Sequence, residues 1–482
     1  MNIASIDFLL FAVAAVALPA VAGRLRPWVF LGINLWFLGS FAKGPAELFP
    51  LAAFLLLGYG AARLAAAHHG SRHGRALGNG LVLALALLFL YLRRYSVLAF
   101  VPALPEPYVT IGLSYILFRL LQVVLDARDG ALGGKDLRPL AYANYTLSFL
   151  TLVSGPIQRY QDFLRQDAAP ARLTAPRLDA ALGRMGTGFF KLLLLADVLL
   201  RVHGKLGPDL VHSLAQGAGV APALGAFCAA AATYALYLYC NFSGSIDVVV
   251  GVGVLLGYDL PENFDRPLTS ANFLDFWSRW HMTLANWFKF YLFNPFLGAL
   301  LRRWPAPAMR NGFAVLAFFV TFFFVGAWHG TTSMFLLCGV ALGLGVSVNK
   351  LWQVRVRAWL GRKRHKALNG SRPYTWLCRG LTFAYFSLSL FAFWLTPEQA
   401  RTLFAGRSFV LMNLAALGAI ALAATPVYAL VGLAEGPFAA LRRAFARGRL
   451  GPGALLAAKI ALALALVMGE MGGAPNFVYG NF

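Results

Sequence analysis

Two histidines carry the most reactive chemistry in this chain, His281 in FWSRWHMTLANWF and His329 in FFFVGAWHGTTS. Each stands among aromatic residues in an apolar stretch, where a titratable side chain is costly to keep and marks a functional site by default. An imidazole can take a proton from a hydroxyl near neutral pH, orient that hydroxyl, or bind a metal. No third ligand at a sensible spacing joins the pair, so the pattern does not point to a metal. Cys228, Cys240, Cys338 and Cys378 lack C-x-x-C spacing and read as small buried hydrophobes. Ser243 has no nucleophile elbow around it. The competing readings are an interfacial anchor for His281 and a structural, hydrogen-bonded histidine inside a bundle for His329.

The elements that position these residues are membrane helices. With 59% hydrophobic and 13% charged residues over 482 positions, and a mean hydropathy of +0.66, an ordinary soluble domain is excluded. Apolar stretches near the bilayer-crossing length of about 20 residues fall at 5–23, 48–67, 79–101, 108–126, 186–202, 222–239, 375–395, 409–433 and 452–468. They predict an all-α, multi-pass protein of roughly 10–13 membrane helices in a single domain, 1–482. Asp7 precedes the first stretch's core and Arg24 and Arg26 follow it, the reverse of a cleavable signal peptide, so that segment is expected to remain as a helix. The segment 157–184 mixes charge with proline and is expected at an interface.

The net charge of +23 is concentrated at 68–75, 302–310, 355–372 and 442–449. The positive-inside rule explains these connectors without nucleic acid and places them in the cytoplasm. Counting spans from them puts both termini, including the final GGAPNFVYGNF, on the outer face. Basic loops beside a membrane also suit a phosphate-bearing or acidic donor.

The two histidine segments depart from simple spans. Asn272, Asp275, Arg279, His281, Asn286 and Lys289 make 272–291 too polar to cross alone. Helical periodicity places Phe273, Phe276, Trp277, Trp280, Leu284, Trp287 and Tyr291 on one face and Asp275, Arg279, Met282, Asn286 and Lys289 on the other, an amphipathic helix with His281 at the border. Asp275 and Arg279 read as a structural i,i+4 pair. From Asn311 to Asn349 no charged residue occurs. A straight helix of that length would measure about 58 Å, nearly twice the hydrocarbon thickness. It must break, and GAWHGTTS is where irregular backbone can line a cavity. Basic flanks at both ends make it a hairpin or re-entrant pair with His329 at the apex.

The run YCNFSGSIDVVVGVGVLLGYDLPENFDRPLTSANFLDFWSRWHMTLANWFKFYLFNPF, followed by FFFVGAWHG, resembles the core signature of the membrane-bound O-acyltransferases. Within that family it is most similar to the bacterial branch of alginate O-acetylation and teichoic-acid D-alanylation. The signature core covers about 237–351, and IGLSYILFRLLQVVLDARDG, LVSGPIQRYQDF and NFVYGNF extend the similarity. Asn241 stands where an acidic residue is expected before FSG, and Lys289 where an arginine follows WF.

The resemblance implies a helical ring around a central tunnel with re-entrant or broken helices. It implies acyl transfer from a thioester to a hydroxyl, with His329 as general base. His281 would then orient the hydroxyl or thioester, or polarise the carbonyl. Trp280, Trp287 and Trp328 are expected to wall the tunnel, and Asn286, Lys289, Arg119 and Asp247 are further candidates for contact with substrate. Arg119 alternatively faces protein or a water-filled cavity, and Asp247, with Asn241, alternatively caps a helix or belongs to a polar network. No bound cofactor is expected. The donor would be acyl-CoA, acetyl-CoA first, or an acyl carrier protein on the cytoplasmic side. The acceptor side would hold a periplasmic acyltransferase partner or an exported envelope polysaccharide, at a bacterial inner membrane. D-alanyl transfer from a carrier protein is the second reading. A transporter or flippase is the rival class, and no matching pair of broken helices in the two halves supports it.

Overall fold

The computed structural model describes Ile3 and residues 5–104, 108–217 and 219–446. The expected span at 452–468 and the chain's C-terminal residues lie outside the described residues, as does the end of the basic stretch 442–449.

Among the described residues the architecture is helical, and the single β feature is an isolated antiparallel bridge between Phe264 and Trp280. Seven helices are long and apolar enough to cross a membrane: Pro45–Ala67, Gly74–Leu92, Val220–Leu256, Pro307–Trp328, Ser333–Gly370, Arg372–Phe393 and Phe409–Glu435. The protein is therefore a multi-pass membrane protein. Other expected stretches fall short for identifiable reasons. The first forms a 16-residue helix, Ile6–Val21. The stretch at 108–126 becomes Leu113–Arg128, also 16 residues. The stretch at 186–202 is divided by a π turn, Phe190–Ala196, with Asp197 and Arg201 just beyond it. Conversely, the apolar residues of 222–239 and the FSG run join in one 37-residue helix, Val220–Leu256.

Leu113–Arg128 is buried on nearly every face. It begins at Gly112, whose φ of +76° favours glycine and whose absent side chain would meet Leu152. The predicted break in 311–349 is present. Arg310–Trp328 ends at His329, and Ser333–Gly370 starts four residues later. The two arms pack as a tight antiparallel hairpin. A Cβ on Gly326 would lie 2.3 Å from Gly339 Cα, and one on Gly339 would lie 2.4 Å from the Phe323 carbonyl oxygen. Small residues here allow the backbone contact that membrane helices use in place of hydrophobic drive. Ser347 Oγ donates to Val315 O at 3.2 Å, so the two basic ends lie together and His329 lies at the opposite, closed end.

The expected continuous helix over 272–291 is corrected. It consists of Phe273–Arg279 and Met282–Phe288, with Trp280 extended and His281 left-handed at φ 44°, ψ 50°. Helical periodicity is satisfied on each side, but the chain between them is claimed by the preceding segment. Asp265 N donates to Arg279 O at 3.0 Å and Met282 N to Asn263 O at 2.9 Å. Two backbone hydrogen bonds thus hold the break open and offset the roughly 1–2 kcal/mol that a left-handed non-glycine residue costs.

Candidate active site

The break places His281, 1% exposed, where three elements meet. Its Nδ1 lies 3.1 Å from Asn263 Oδ1, and that oxygen also accepts from Thr283 N at 3.2 Å and Thr283 Oγ1 at 2.8 Å. A backbone N–H can only donate, so this atom of Asn263 must be the acceptor. His281 therefore carries its proton on Nδ1 and presents a bare Nε2. Tyr115 OH faces that nitrogen at 3.4 Å. The ring of Phe242 packs edge-on against the imidazole at 4.9 Å.

His329, 6% exposed, closes the hairpin. Its ring packs against Trp328 at 5.0 Å and Phe393 at 5.2 Å. Tyr95 OH donates to the carbonyls of Ala327 and Trp328, and Ser96 N to Thr331 O, so the apex is fastened from outside its own helices. Tyr115 links His281 to the hairpin apex: its ring is 6.4 Å from that of His281 and 5.7 Å from that of Trp328, the neighbour of His329. Two segments whose histidines are 48 positions apart in sequence thus converge on one buried site.

The other expected residues divide. Trp287 and Trp328 pack on Phe118 with centroids at 4.5 and 5.0 Å, and Trp287 Nε1 donates to Phe118 O at 3.1 Å. Trp280 does not join them. It packs against Phe264, Phe276 and Phe386, because the break at His281 turns its ring away from the Trp287 face. Asn286 and Lys289 line a 340 Å³ cavity with Trp277, Met282 and Phe322, between the Met282–Phe288 helix and the first arm of the hairpin.

Arg119 faces protein. It is 1% exposed and donates to Tyr145 O at 3.0 Å, Thr146 O at 2.7 Å and Thr151 O. Those carbonyls are freed where the helix Pro139–Leu147 stops at Ser148 and Phe149–Leu152 begins. Asp247 belongs to a polar network, accepting from Arg184 at 3.1 Å and Lys191 at 2.7 Å, with Arg184 also paired to Glu262. Asp275 and Arg279 form the expected i,i+4 pair at 3.0 Å.

Sequence reasoning missed Asn263, Thr283, Tyr115, Phe118 and Phe393. Asn263 lies in the ENF run 18 positions before His281, an asparagine in a turn-like loop. Two buried donors at the site have no hydrogen-bond acceptor among the described residues, Trp328 Nε1 and Asn263 Nδ2. No group of three or more His, Cys, Asp or Glu among the described residues could hold a metal.

A family model, the membrane-bound O-acyltransferase family, matches residues 79–392. Among curated proteins, the teichoic acid D-alanyltransferase of Bacillus subtilis (strain 168) is 29% identical over 289 residues, 59% of this chain and 68% of that protein. The protein of the same name from Streptococcus thermophilus is 30% identical over 269 residues, 55% of this chain and 61% of its own length. The "Probable alginate O-acetylase AlgI" of Pseudomonas fluorescens is 27% identical over 241 residues, 50% of this chain and 44% of that protein. The chain thus spans about two thirds of the D-alanyltransferases it matches and less than half of the O-acetylase.

Proposed function

The chain belongs to the membrane-bound O-acyltransferase family, and from that membership we propose that it moves an acetyl group from a cytoplasmic thioester donor to a hydroxyl on the far side of a bacterial inner membrane, for O-acylation of an exported envelope polysaccharide. The observation that carries the reading is the convergence of His281 and the hairpin apex on Tyr115, which faces the imidazole of His281 and packs on Trp328, the residue beside His329. His329 takes the acceptor's proton as its oxygen attacks the thioester carbonyl. The tetrahedral intermediate then expels the thiolate, which recovers that proton from the imidazolium. The products are an ester and a free thiol, with no net change in protons.

His281 orients the acceptor hydroxyl. Its Nδ1–H is committed to Asn263, so a neutral ring offers the carbonyl oxygen no donor, whereas its Nε2 can accept. The unspent indole N–H of Trp328 is available for the developing oxyanion, a type of contact whose removal costs about 3–4 kcal/mol of barrier elsewhere. Trp287, Trp328 and Phe118 would wall a narrow tunnel, within a helical ring formed by the single domain, through which donor and acceptor reach the histidines from opposite faces. A secreted partner protein would serve as acceptor, since a bulky polymer fits such a passage poorly.

The groups packed on the imidazoles, Tyr115, Phe242, Asn263, Trp328 and Phe393, are uncharged. Such a lining takes an acetyl group at no electrostatic cost, whereas an α-ammonium would need an anionic partner. D-alanyl transfer is the second reading, favoured by the longer matches to relatives of that name. Purified protein in proteoliposomes, supplied with acetyl-CoA or a D-alanyl carrier thioester, separates them. Release of free thiol from acetyl-CoA that depends on His329 supports the proposal. Turnover of the D-alanyl donor alone transfers it to the second reading, and movement of solute without thiol release removes both.

A further inference from the structure

Away from the histidines, the second arm of the hairpin and the helix Arg372–Ser389 diverge around a cavity of 780 Å³, a volume in the range of ligand sites. One wall runs from Gly345 to Val356 and the other from Tyr374 to Tyr385. Each wall is about 17 Å long at helical rise, close to the roughly 15 Å hydrocarbon depth of one leaflet. The trough therefore has the length of a lipid chain.

Its chemistry is graded along that length. The inner end is closed where Gly345 meets Phe273 and Tyr385, so closely that a Cβ would lie 2.4 Å from the tyrosine ring. Leu344, Val348, Leu381 and Leu417 make the adjoining lining apolar. Polar groups halfway along are already bonded to one another: Gln353 Nε2 donates to Asn272 Oδ1 at 3.2 Å and to Asn349 Oδ1 at 3.3 Å. At the outer end His365, Asn369, Tyr374 and Thr375 form a polar mouth.

The mouth is carried by the end of the helix beyond its kink at Gly361, where φ is +71°. This bend lets both portions of one helix line the same cavity. Arg355, Arg357, Arg362, Lys363, Arg364 and Lys366 lie on and before that turn, and no acidic residue occurs between Lys350 and Arg372. Trp359 is 83% exposed beside them, as expected of an aromatic anchor at headgroup level. An apolar trough of leaflet depth thus opens onto a concentrated positive charge at one end.

We propose that this trough is a binding site for an anionic phospholipid, with an acyl chain between the two helices and the phosphate against the basic turn at 362–366. The site also abuts Asn272, the residue that caps the Phe273–Arg279 helix leading to His281. The inference does not depend on which acyl group the enzyme transfers.

The test uses the full chain in nanodiscs of phosphatidylcholine doped with phosphatidylglycerol bearing a photoactivatable diazirine on its acyl chain, with labelled peptides mapped by mass spectrometry. Label is expected on 344–356 and 374–385, displaced by unlabelled phosphatidylglycerol. Thr382→Trp, which fills the trough, should remove it. The exposed pair Arg362→Gln/Lys366→Gln should raise the phosphatidylglycerol needed for half-labelling by roughly twenty-five-fold, at about fivefold per cation. Equal labelling by a diazirine phosphatidylcholine, or labelling that neither variant alters, would overturn the proposal. Displacement by acetyl-CoA and not by phosphatidylglycerol would also overturn it, assigning the trough to the donor.

Discussion

Asn263→Ala is the sharpest test of how the site is held. The side chain is fully buried, and its Oδ1 accepts from His281 Nδ1, Thr283 N and Thr283 Oγ1. Truncation leaves the Thr283 N–H without an acceptor, which costs about 1–3 kcal/mol of stability for a buried donor. The threonine hydroxyl keeps its second contact, accepting from Ile157 N at 3.0 Å, so the segment should still fold. The effect on activity is a different quantity. One neutral hydrogen bond fixes the tautomer and rotamer of His281, and its net worth is about 0.5–1.5 kcal/mol. At about 1.4 kcal/mol per factor of ten, kcat for thioester turnover should fall roughly two- to tenfold. Free-thiol release by reconstituted protein measures it, with thermal unfolding of the same preparation reporting stability. If Asn263 acts only through His281, then Asn263→Ala should have no further effect on kcat in a His281→Ala background, and the coupling should equal the whole single-variant effect. Independent, additive losses would refute the assignment of Asn263 as a positioning residue.

His329→Ala should lower acyl transfer by about 10²–10⁴-fold while the protein inserts and unfolds normally; near-normal turnover per inserted molecule would remove His329 as the base. Gly339→Leu drives a side chain into the Phe323 carbonyl and should destabilise the hairpin by about 1–3 kcal/mol or more, read as a lower unfolding temperature, whereas an unchanged temperature would mean the arms are not so close. Thr332 is exposed at the apex of the hairpin: Thr332→Cys should react with an impermeant thiol reagent from the outer face, and reaction from the cytoplasmic face alone would invert the orientation argued from the basic connectors.

The sequence made one of the two breaks legible and concealed the other. For 311–349 the argument was one of length, since an uncharged run nearly twice the bilayer thickness has to turn, and the glycines at 326 and 330 marked where. For 272–291 helical periodicity misled. Each half of the segment obeys a 3.6-residue pattern, so the pattern carries across His281 as though the helix did. What breaks it is tertiary. Asn263 and Asp265 supply backbone partners to Met282 and Arg279, and the left-handed residue is a histidine, so no glycine announces it. The consequence is visible in the tryptophans: Trp287 and Trp328 meet on Phe118, while Trp280, on the other side of the break, packs against Phe386.

Long-range partners were invisible for a simpler reason. His281 bonds to Asn263 across 18 positions and faces Tyr115 across 166, and no local period encodes either distance. Arg119 shows how far single-residue logic reaches. Its cost in an apolar helix implied protein or a water-filled cavity around it; the structure sets it against protein, and the identity of its partners depended on a break at Ser148 that frees three carbonyls. A buried cation satisfied by backbone oxygens is structural, and a buried imidazole with one nitrogen committed and the other an unprotonated acceptor facing only a tyrosine hydroxyl at 3.4 Å has chemistry left to do. By that criterion His281 separates from Arg119, although both stood out in the sequence on the same ground of polarity in an apolar setting.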